Sequence, residues 1–124
     1  MSVADIANDL VAKYRQGQNL AAIDAHYSDD IVSIEATGTE QFPARQEGIE
    51  PIRGKNQWWI ENHEIHGGEV NGPYIGEDQF AVQFKFDVTP KMTGQRMQMT
   101  EMGLYNVKNG KIVQEEFFYN MPGQ

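Results

Sequence analysis

Residues 80–120 read FAVQFKFDVTPKMTGQRMQMTEMGLYNVKNGKIVQEEFFYN, and most of the predicted fold follows from them. In the first nine of these residues every second side chain is strongly apolar, which is the pattern of a β-strand with one buried face. The turn sequences PKMTG and KNG then separate two further strands, predicted over residues 95–107 and 111–120. Consecutive hairpins of this kind predict an antiparallel meander.

The sequence before this stretch is mostly helical, with one early strand. Apolar residues recur every three or four positions in the first fourteen residues, which is the spacing of an amphipathic helix. A second short helix is predicted from Asn19, a strand over residues 31–36 and a third helix over residues 54–66. A glycine pair is expected to end the third helix, and another strand is predicted over residues 69–75. Helices followed by a run of strands predict an α+β domain rather than alternating α/β units.

Length and composition predict one acidic domain, residues 1–124. Lys and Arg number 10 and Asp and Glu 18, which gives a formal net charge of −8. This charge disfavours nucleic acid and anionic membranes, because both are bound through Lys and Arg. The chain has no cysteine, which excludes disulfides and thiolate metal sites. The first residues have the features of neither a secretory signal nor a transit peptide, and no apolar run could span a bilayer, so a cytoplasmic location is expected.

Three short motifs occur in a characteristic order along the chain. They are YSDDI at residues 27–31, RGK at residues 53–55 and NGKIV at residues 109–113. With the order of helices and strands, they resemble the nuclear transport factor 2-like superfamily, specifically its bacterial SnoaL-like branch. The resemblance implies a cystatin-like fold, in which a curved antiparallel sheet wraps round three N-terminal helices and forms a cone with an internal pocket. The superfamily includes ketosteroid isomerases, polyketide cyclases and scytalone dehydratase, so the fold does not define one reaction.

Glu35 is the first candidate catalytic residue, and the resemblance implies its role. It corresponds to the catalytic base of ketosteroid isomerase, near the end of the first strand. Ile31 and Ser33 share its face by alternation. A carboxylate on a pocket-lining face could act as a general base on a carbon-bound proton, and Glu35→Gln is then expected to be neutral or stabilising but inactive. In the alternative, Glu35 lies at the rim or in solvent. The superfamily's oxyanion-binding aspartic acid corresponds to Gly103, so steroid isomerisation is not predicted.

Glu101 is the second candidate catalytic residue. By alternation it shares a face with Met99 and Tyr105, and the resemblance turns this face toward the pocket. Glu115 on the last strand is expected to face the pocket as well. If Glu35, Glu101 and Glu115 converge, two of them can share a proton and act as acid and base, or the group could hold a divalent metal through oxygen ligands. In the alternative register, one or two of them point outward.

The predicted binding residues are aromatic, methionine and polar side chains on the first helix, the third helix and the inner strand faces. They are Tyr14, Trp58, Asn62, His63, Phe86, Met99, Glu115, Phe117 and Tyr119. Such side chains can line an adaptable small-molecule pocket, and filling the core or a dimer interface is the alternative. His63 and His66 are predicted on one helix without a third ligand nearby in sequence. No metal and no cofactor are therefore predicted.

Three functions fit these residues. The first is an isomerase, cyclase or other lyase-type enzyme that uses a pocket carboxylate as general base on a small apolar carbonyl compound. The second is a module that binds an apolar ligand without turnover, and the third is a dimeric interaction module. Apolar side chains on both faces of the strands also predict a homodimer through the exposed sheet face.

Overall fold

The computed structural model describes residues 1–40 and 42–120 of the chain. These residues form three helices and six strands, in an order that agrees with the prediction except for one short strand, β2, between the predicted first strand and the predicted third helix. The elements are α1 (Val3–Arg15), α2 (Asn19–His26), β1 (Tyr27–Ile34), β2 (Arg45–Glu47), α3 (Ile49–Asn62), β3 (His63–Ile75), β4 (Gln79–Pro90), β5 (Met97–Lys108) and β6 (Lys111–Phe118). None of the helices in the described ranges is long and apolar enough to cross a membrane.

The six strands form one curved and unclosed sheet in the order β2–β1–β6–β5–β4–β3. Strands β3 to β6 form the antiparallel meander that the hairpin turns predict. Strand β1 instead runs parallel to β6, which is possible because α3 and four further strands separate the two in sequence and no tight turn joins them. The three helices and the curved sheet confirm the predicted α+β class.

The helices cover one face of the sheet, which we call the inner face. The core lies at the end of this face that α1 and α2 cover. Its fully buried members include Ile6, Leu10, Ile23, Ile31, Val82, Tyr105 and Ile112. Other inner-face side chains, nearer to α3, keep part of their surface exposed, among them Phe86, Met99, Glu101 and Phe117. The inner face therefore has a closed apolar end and an accessible end.

The third helix begins and ends earlier than predicted. It spans Ile49–Asn62 and not residues 54–66. Pro51 lies in its first turn, where the missing N–H of proline removes no helix hydrogen bond. His63 and His66 consequently lie on β3, and the expected placement of both rings on one helix is wrong.

Gly67 and Gly68 continue β3 and do not end a helix. A Cβ atom on Gly68 would lie 2.5 Å from the backbone oxygen of Lys85, whereas one on Gly67 would meet nothing within 4 Å. Gly68 therefore permits the close approach of β4, and the glycine pair is a feature of strand pairing.

Candidate functional site

Strand register brings Glu35, Glu101 and Glu115 to the same face of the sheet. Glu101 lies opposite the buried Phe84 of β4. Glu115 lies between Tyr105 of β5 and Ser33 of β1, and both of these side chains are fully buried. Glu35 follows two positions after Ser33 and so continues the same face. We call these three glutamates and Lys55, described below, the carboxylate cluster.

Glu115 is the deepest member of the carboxylate cluster, with 2% of its surface exposed. Its Oε1 accepts a hydrogen bond from the Tyr27 hydroxyl, and its Oε2 accepts one from Ser33 Oγ at 2.8 Å. Burial raises the pKa of the Glu115 carboxyl, against the lowering effects of Lys55 and of the two hydroxyl donors. Two hydrogen bonds satisfy this carboxyl, as a buried polar group requires.

Lys55 links the deep and the accessible parts of the cluster. Its ammonium group donates to Ser33 Oγ at 2.9 Å and to Glu35 Oε1 at 2.7 Å. The same nitrogen lies 5.8 Å from the ring centre of Phe117, within the range of a cation–π interaction. Tyr119 donates to the second oxygen of Glu35 at 3.0 Å. Glu35 therefore accepts a hydrogen bond on each oxygen.

Lys55 is a residue of the candidate site that the sequence prediction did not single out. The predicted start of α3 at residue 54 places Lys55 in the first helical turn, as part of a motif that opens the helix. With the observed start, Ile52, Lys55 and Trp59 recur at three- and four-residue spacing and share a helix face. The full burial of Ile52 identifies this face as the one turned toward the sheet. A correct helix start would have pointed to Lys55.

Glu101 differs from the other two glutamates in its surroundings. It is partly buried, and no hydrogen bond joins its carboxyl group to any described residue. Burial raises its pKa to about 8, and the nearby charge of Glu35 adds to this effect while Lys55 opposes it. Glu101 is therefore a carboxylic acid that keeps its proton near neutral pH, beside a second carboxyl group bound to a cation.

Aromatic rings surround the accessible end of the inner face. Phe84 and Phe86 stack at 5.9 Å between ring centres, and Trp59 of α3 packs on Phe86 at 5.8 Å. Phe117 lies 6.5 Å from Phe84, and Met99 lies opposite Phe86 in the sheet. Among the predicted binding residues, Phe86, Met99 and Phe117 thus lie with Glu101 on one apolar surface.

Tyrosine hydroxyls line the deeper part of the same face. The Tyr14 ring lies 5.5 Å from Phe84, and the Tyr14 and Tyr27 hydroxyl oxygens are 3.2 Å apart. Tyr14 is thereby connected through Tyr27 to Glu115. Tyr14 is one of the predicted binding residues, and in the structure its side chain turns inward.

The structure does not bring three of the predicted binding residues to the carboxylate cluster. Asn62 donates its side-chain amide to the carbonyl of Trp58 at 2.8 Å and so closes the end of α3. His63 stacks on Trp59 at 3.7 Å and contacts the edge of Trp58. His63 Nδ1 also lies 2.9 Å from the Trp59 carbonyl. These contacts explain Trp58, Asn62 and His63 as packing at the junction of α3 and β3.

Two surface depressions lie mainly on the face opposite the carboxylate cluster, because most of the side chains that line them alternate with those of the inner face. One, of about 460 Å³, lies over β3, β4 and β5 beside Lys85 and Gln98. The other, of about 490 Å³, is lined by Ala36, Thr100, Phe118, Tyr119 and Asn120, and Tyr119 connects it to Glu35. Within residues 1–40 and 42–120, no three His, Asp or Glu side chains come together as a metal site.

Comparison with known proteins places this geometry in a family. The family model of the SnoaL-like domain matches residues 1–119. Among solved structures, a SnoaL-like polyketide cyclase candidate from Mesorhizobium loti is 53% identical, with a TM-score of 0.90 over 96% of this chain and 100% of that chain. An NTF2-like protein from Burkholderia thailandensis shares the fold at 19% identity, with a TM-score of 0.81 over 97% of this chain and 92% of that chain.

A further solved structure, an isomerase candidate from Bacillus subtilis, also shares the fold. It is 15% identical, with a TM-score of 0.74 over 95% of this chain and 86% of that chain. No curated protein sequence matches the chain. From the family match and the relative at 53% identity, the chain belongs to the SnoaL-like family.

Proposed function

We propose that this protein is an enzyme of the general acid–base type, which moves a proton beside the carbonyl group of a small, uncharged and mostly apolar compound. The observation that carries the proposal is the contrast between two carboxyl groups on one face. Glu35 accepts hydrogen bonds from Lys55 and Tyr119. Glu101 has no hydrogen-bond partner among the described residues, and its pKa is raised to about 8. Two carboxyl groups in such different surroundings are suited to the roles of base and acid.

The proposed reaction assigns one proton transfer to each carboxyl group. Glu35 takes a proton from the carbon next to the carbonyl group, and Glu101 gives its proton to the carbonyl oxygen, which produces an enol. If the substrate has a neighbouring C=C bond, Glu35 returns its proton to a different carbon while Glu101 takes back the hydroxyl proton, which completes an isomerisation. If it has a second carbonyl group, the enol carbon attacks that group, Glu101 takes back the enol proton and Glu35 protonates the new alkoxide, which completes a cyclisation. A carboxylate has about four lone-pair positions, so Glu35 retains capacity for a substrate proton while it holds Lys55 and Tyr119.

The charges of the site favour an uncharged substrate. Three carboxyl groups lie on this face, and the cation beside them, Lys55, already donates to Glu35 and Ser33. An anionic substrate would meet like charges and no free cation among the described residues of the site, on a chain with a formal net charge of −8. The rings of Phe84, Phe86 and Trp59 supply the apolar surface that small-molecule sites usually have.

The similar proteins support a carbonyl chemistry of this kind. The 53% identical relative is described as a polyketide cyclase candidate, and cyclisation through an enol is one of the two outcomes above. The neighbour described as an isomerase candidate is too distant to support more than the fold. We therefore propose the reaction class without naming a substrate.

Binding without turnover is the second candidate function, and one observation favours it. Both oxygens of Glu35 are engaged by Lys55 and Tyr119, as in a structural ion pair. In that case Glu35 would hold α3 against β1 and β6. The apolar surface near Glu101 would then bind a ligand and release it without chemical change.

Exchange of carbon-bound hydrogen distinguishes the two functions. The protein is incubated with 2-tetralone in D₂O, and loss of the signals of the hydrogens next to the carbonyl group is followed by ¹H NMR. We expect acceleration over the uncatalysed exchange, reduced about a hundredfold in Glu35→Gln and in Glu101→Gln. Acceleration should also decline above about pH 8, because Glu101 then loses the proton it must donate.

The matched control for this measurement is Glu77→Gln, which alters an exposed glutamate in the turn before β4. It should exchange hydrogen at the wild-type rate. No acceleration by the wild-type protein would leave binding without turnover as the better account, and full acceleration in both site variants would contradict the roles assigned to Glu35 and Glu101.

A further inference from the structure

The hydroxyl group of Tyr105 is fully buried and makes no hydrogen bond to any described residue. Buried hydroxyl groups in folded proteins are nearly always paired, because an unpaired one costs folding free energy. The Tyr14 hydroxyl lies near enough to influence the pKa of the Tyr105 phenol, but it does not meet the Tyr105 hydroxyl with hydrogen-bond geometry. Tyr105 therefore presents an unused donor on the inner face.

The position of the Tyr105 ring points its free end toward the carboxylate cluster. The ring stacks on Phe80 at 4.9 Å and meets the edge of Phe117 at 6.1 Å. A Cβ atom on Gly103 would lie 3.0 Å from Cε2 of Tyr105, next to the hydroxyl-bearing carbon. Gly103 lies between Tyr105 and Glu101 on the same strand face, so the ring leans along β5 toward Glu101.

The neighbouring hydroxyls already have their protons committed. Tyr27 donates to Glu115, so its oxygen accepts the proton of Tyr14 across the 3.2 Å that separates the two oxygens. For the Tyr105 hydroxyl, no acceptor among the described residues lies in hydrogen-bond geometry. Burial raises the pKa of the Tyr105 phenol well above its ordinary value, so this hydroxyl keeps its proton throughout the physiological range.

We infer that the Tyr105 hydroxyl donates a hydrogen bond to the oxygen atom of the bound ligand, and that the site therefore selects ligands with an acceptor oxygen over hydrocarbons of the same shape. This inference rests on the proposed function for the carbonyl class of ligand. The Phe117 ring is partly exposed and meets the Tyr105 ring edge-on, and we expect it to shift so that the ligand oxygen can reach the buried hydroxyl. Tyr105 thus acts in recognition of the ligand oxygen. Gly103 lies between Tyr105 and Glu101 on the strand.

The test uses two ligands that differ by one carbonyl oxygen, 2-tetralone and tetralin, and the variant Tyr105→Phe. Binding is followed by the fluorescence of Trp58 and Trp59, and unfolding by thermal denaturation. We expect wild-type protein to bind 2-tetralone about tenfold more tightly than tetralin, the difference made by one hydrogen bond. Tyr105→Phe should bind the two compounds equally and, without ligand, should melt at the wild-type temperature or higher. Tyr74→Phe, which removes the same atom from an exposed tyrosine, should behave as wild type.

Three results would overturn the inference. A lower melting temperature for unliganded Tyr105→Phe would show that the hydroxyl has a partner in the free protein, such as a buried water. If wild-type protein binds both compounds with equal affinity, or binds neither, no acceptor oxygen is recognised. Retention of the ketone preference in Tyr105→Phe would assign it to another group. The hydrogen-exchange experiment separates this inference from the proposed function. If the protein prefers the ketone through Tyr105 but does not accelerate hydrogen exchange, the proposed reaction is contradicted and the inference about Tyr105 stands.

Discussion

Glu101 and Glu35 lie on one face of the sheet, yet their carboxyl groups differ in what they touch. Glu35 is bound by an ammonium group and a phenol, whereas Glu101 has apolar neighbours such as Phe84 and Met99. Desolvation penalises the charged form of a carboxyl group, and a second negative charge nearby penalises it further. The difference in chemistry between two identical residues thus follows from one lysine, Lys55, which reaches Glu35 and not Glu101.

The raised pKa of Glu101 predicts that the protein loses stability as the pH rises. The pKa is about 8 in the folded chain, above the ordinary value of 4.5. Between these values the folded chain holds a proton that the unfolded chain has released. The free energy of unfolding therefore falls with pH across this window, by up to about 1.4 kcal/mol per pH unit.

Replacing Glu101 by Gln removes this pH dependence and keeps the shape of the side chain. Relative to wild type, we expect Glu101→Gln to gain about 1–3 kcal/mol in the free energy of unfolding between pH 5 and pH 8. Urea denaturation at both pH values measures the change, with Glu77→Gln as the exposed control. Parallel pH profiles for wild type and Glu101→Gln would show that Glu101 titrates as an ordinary surface residue.

At the residue scale, strand alternation predicts which face of the sheet a side chain lies on, but it does not predict the partners of that side chain. The period of two predicts that Met99, Glu101 and Tyr105 share one face, and the register of β4 and β5 agrees. The ion pair of Lys55 with Glu35 joins residues 20 positions apart, and no local pattern reports such a contact. The free hydroxyl of Tyr105 depends on the exact orientation of its ring, which the sequence does not encode locally.

At the scale of elements, the predicted boundary between α3 and β3 is wrong because glycine has two structural uses. A glycine pair after an apolar helical pattern is typical of a helix end. Here the helix has already ended at Asn62, and Gly68 serves the approach of β3 to the backbone of Lys85. The two uses of glycine differ in a contact with the neighbouring strand, and this contact is known only when the pairing of the strands is known.

This account predicts opposite results for two neighbouring substitutions. Gly68→Ala should lower the free energy of unfolding by about 1–3 kcal/mol, because its Cβ would lie 2.5 Å from the backbone oxygen of Lys85 and the strands must separate. Gly67→Ala meets no atom within 4 Å, and should be neutral or stabilising by up to about 1 kcal/mol through reduced freedom of the unfolded chain. Urea denaturation of both variants tests the pair, and equal losses would contradict the assigned role of Gly68.

At the scale of the whole molecule, the order of the elements is predictable and their assembly follows from it. Alternation in β4 and the turn before β6 determine the meander, and the helices before it must cover one of its faces. The opposite face is covered by no described element. Side chains there that are exposed or partly exposed include Val32, Ile34, Met102, Leu104 and Phe118.

The uncovered face is the surface through which we expect the protein to form a homodimer. Met102 lies opposite Phe118, and Leu104, which lies opposite Glu116, follows two residues further along β5 on the same face. Apolar side chains of β5 and β6 are therefore adjacent on this face. Sedimentation should give the mass of two chains at micromolar concentration. Leu104→Glu should weaken the dimer about tenfold or more, because it would bury an unpaired charge. A wild-type mass of one chain would contradict the prediction.

The central claim is that a protonated Glu101 lies beside the Lys55-bound Glu35 at neutral pH, and a direct titration of the glutamate carboxyl carbons tests it. Protein labelled with ¹³C at the glutamate carboxyl position is followed by NMR from pH 4 to pH 10, together with Glu101→Gln. The account predicts one carboxyl signal with a midpoint near 8 that is absent from the spectrum of the variant. If the signal that disappears in Glu101→Gln instead titrates near 4.5, as an ordinary glutamate does, the acid–base assignment is contradicted.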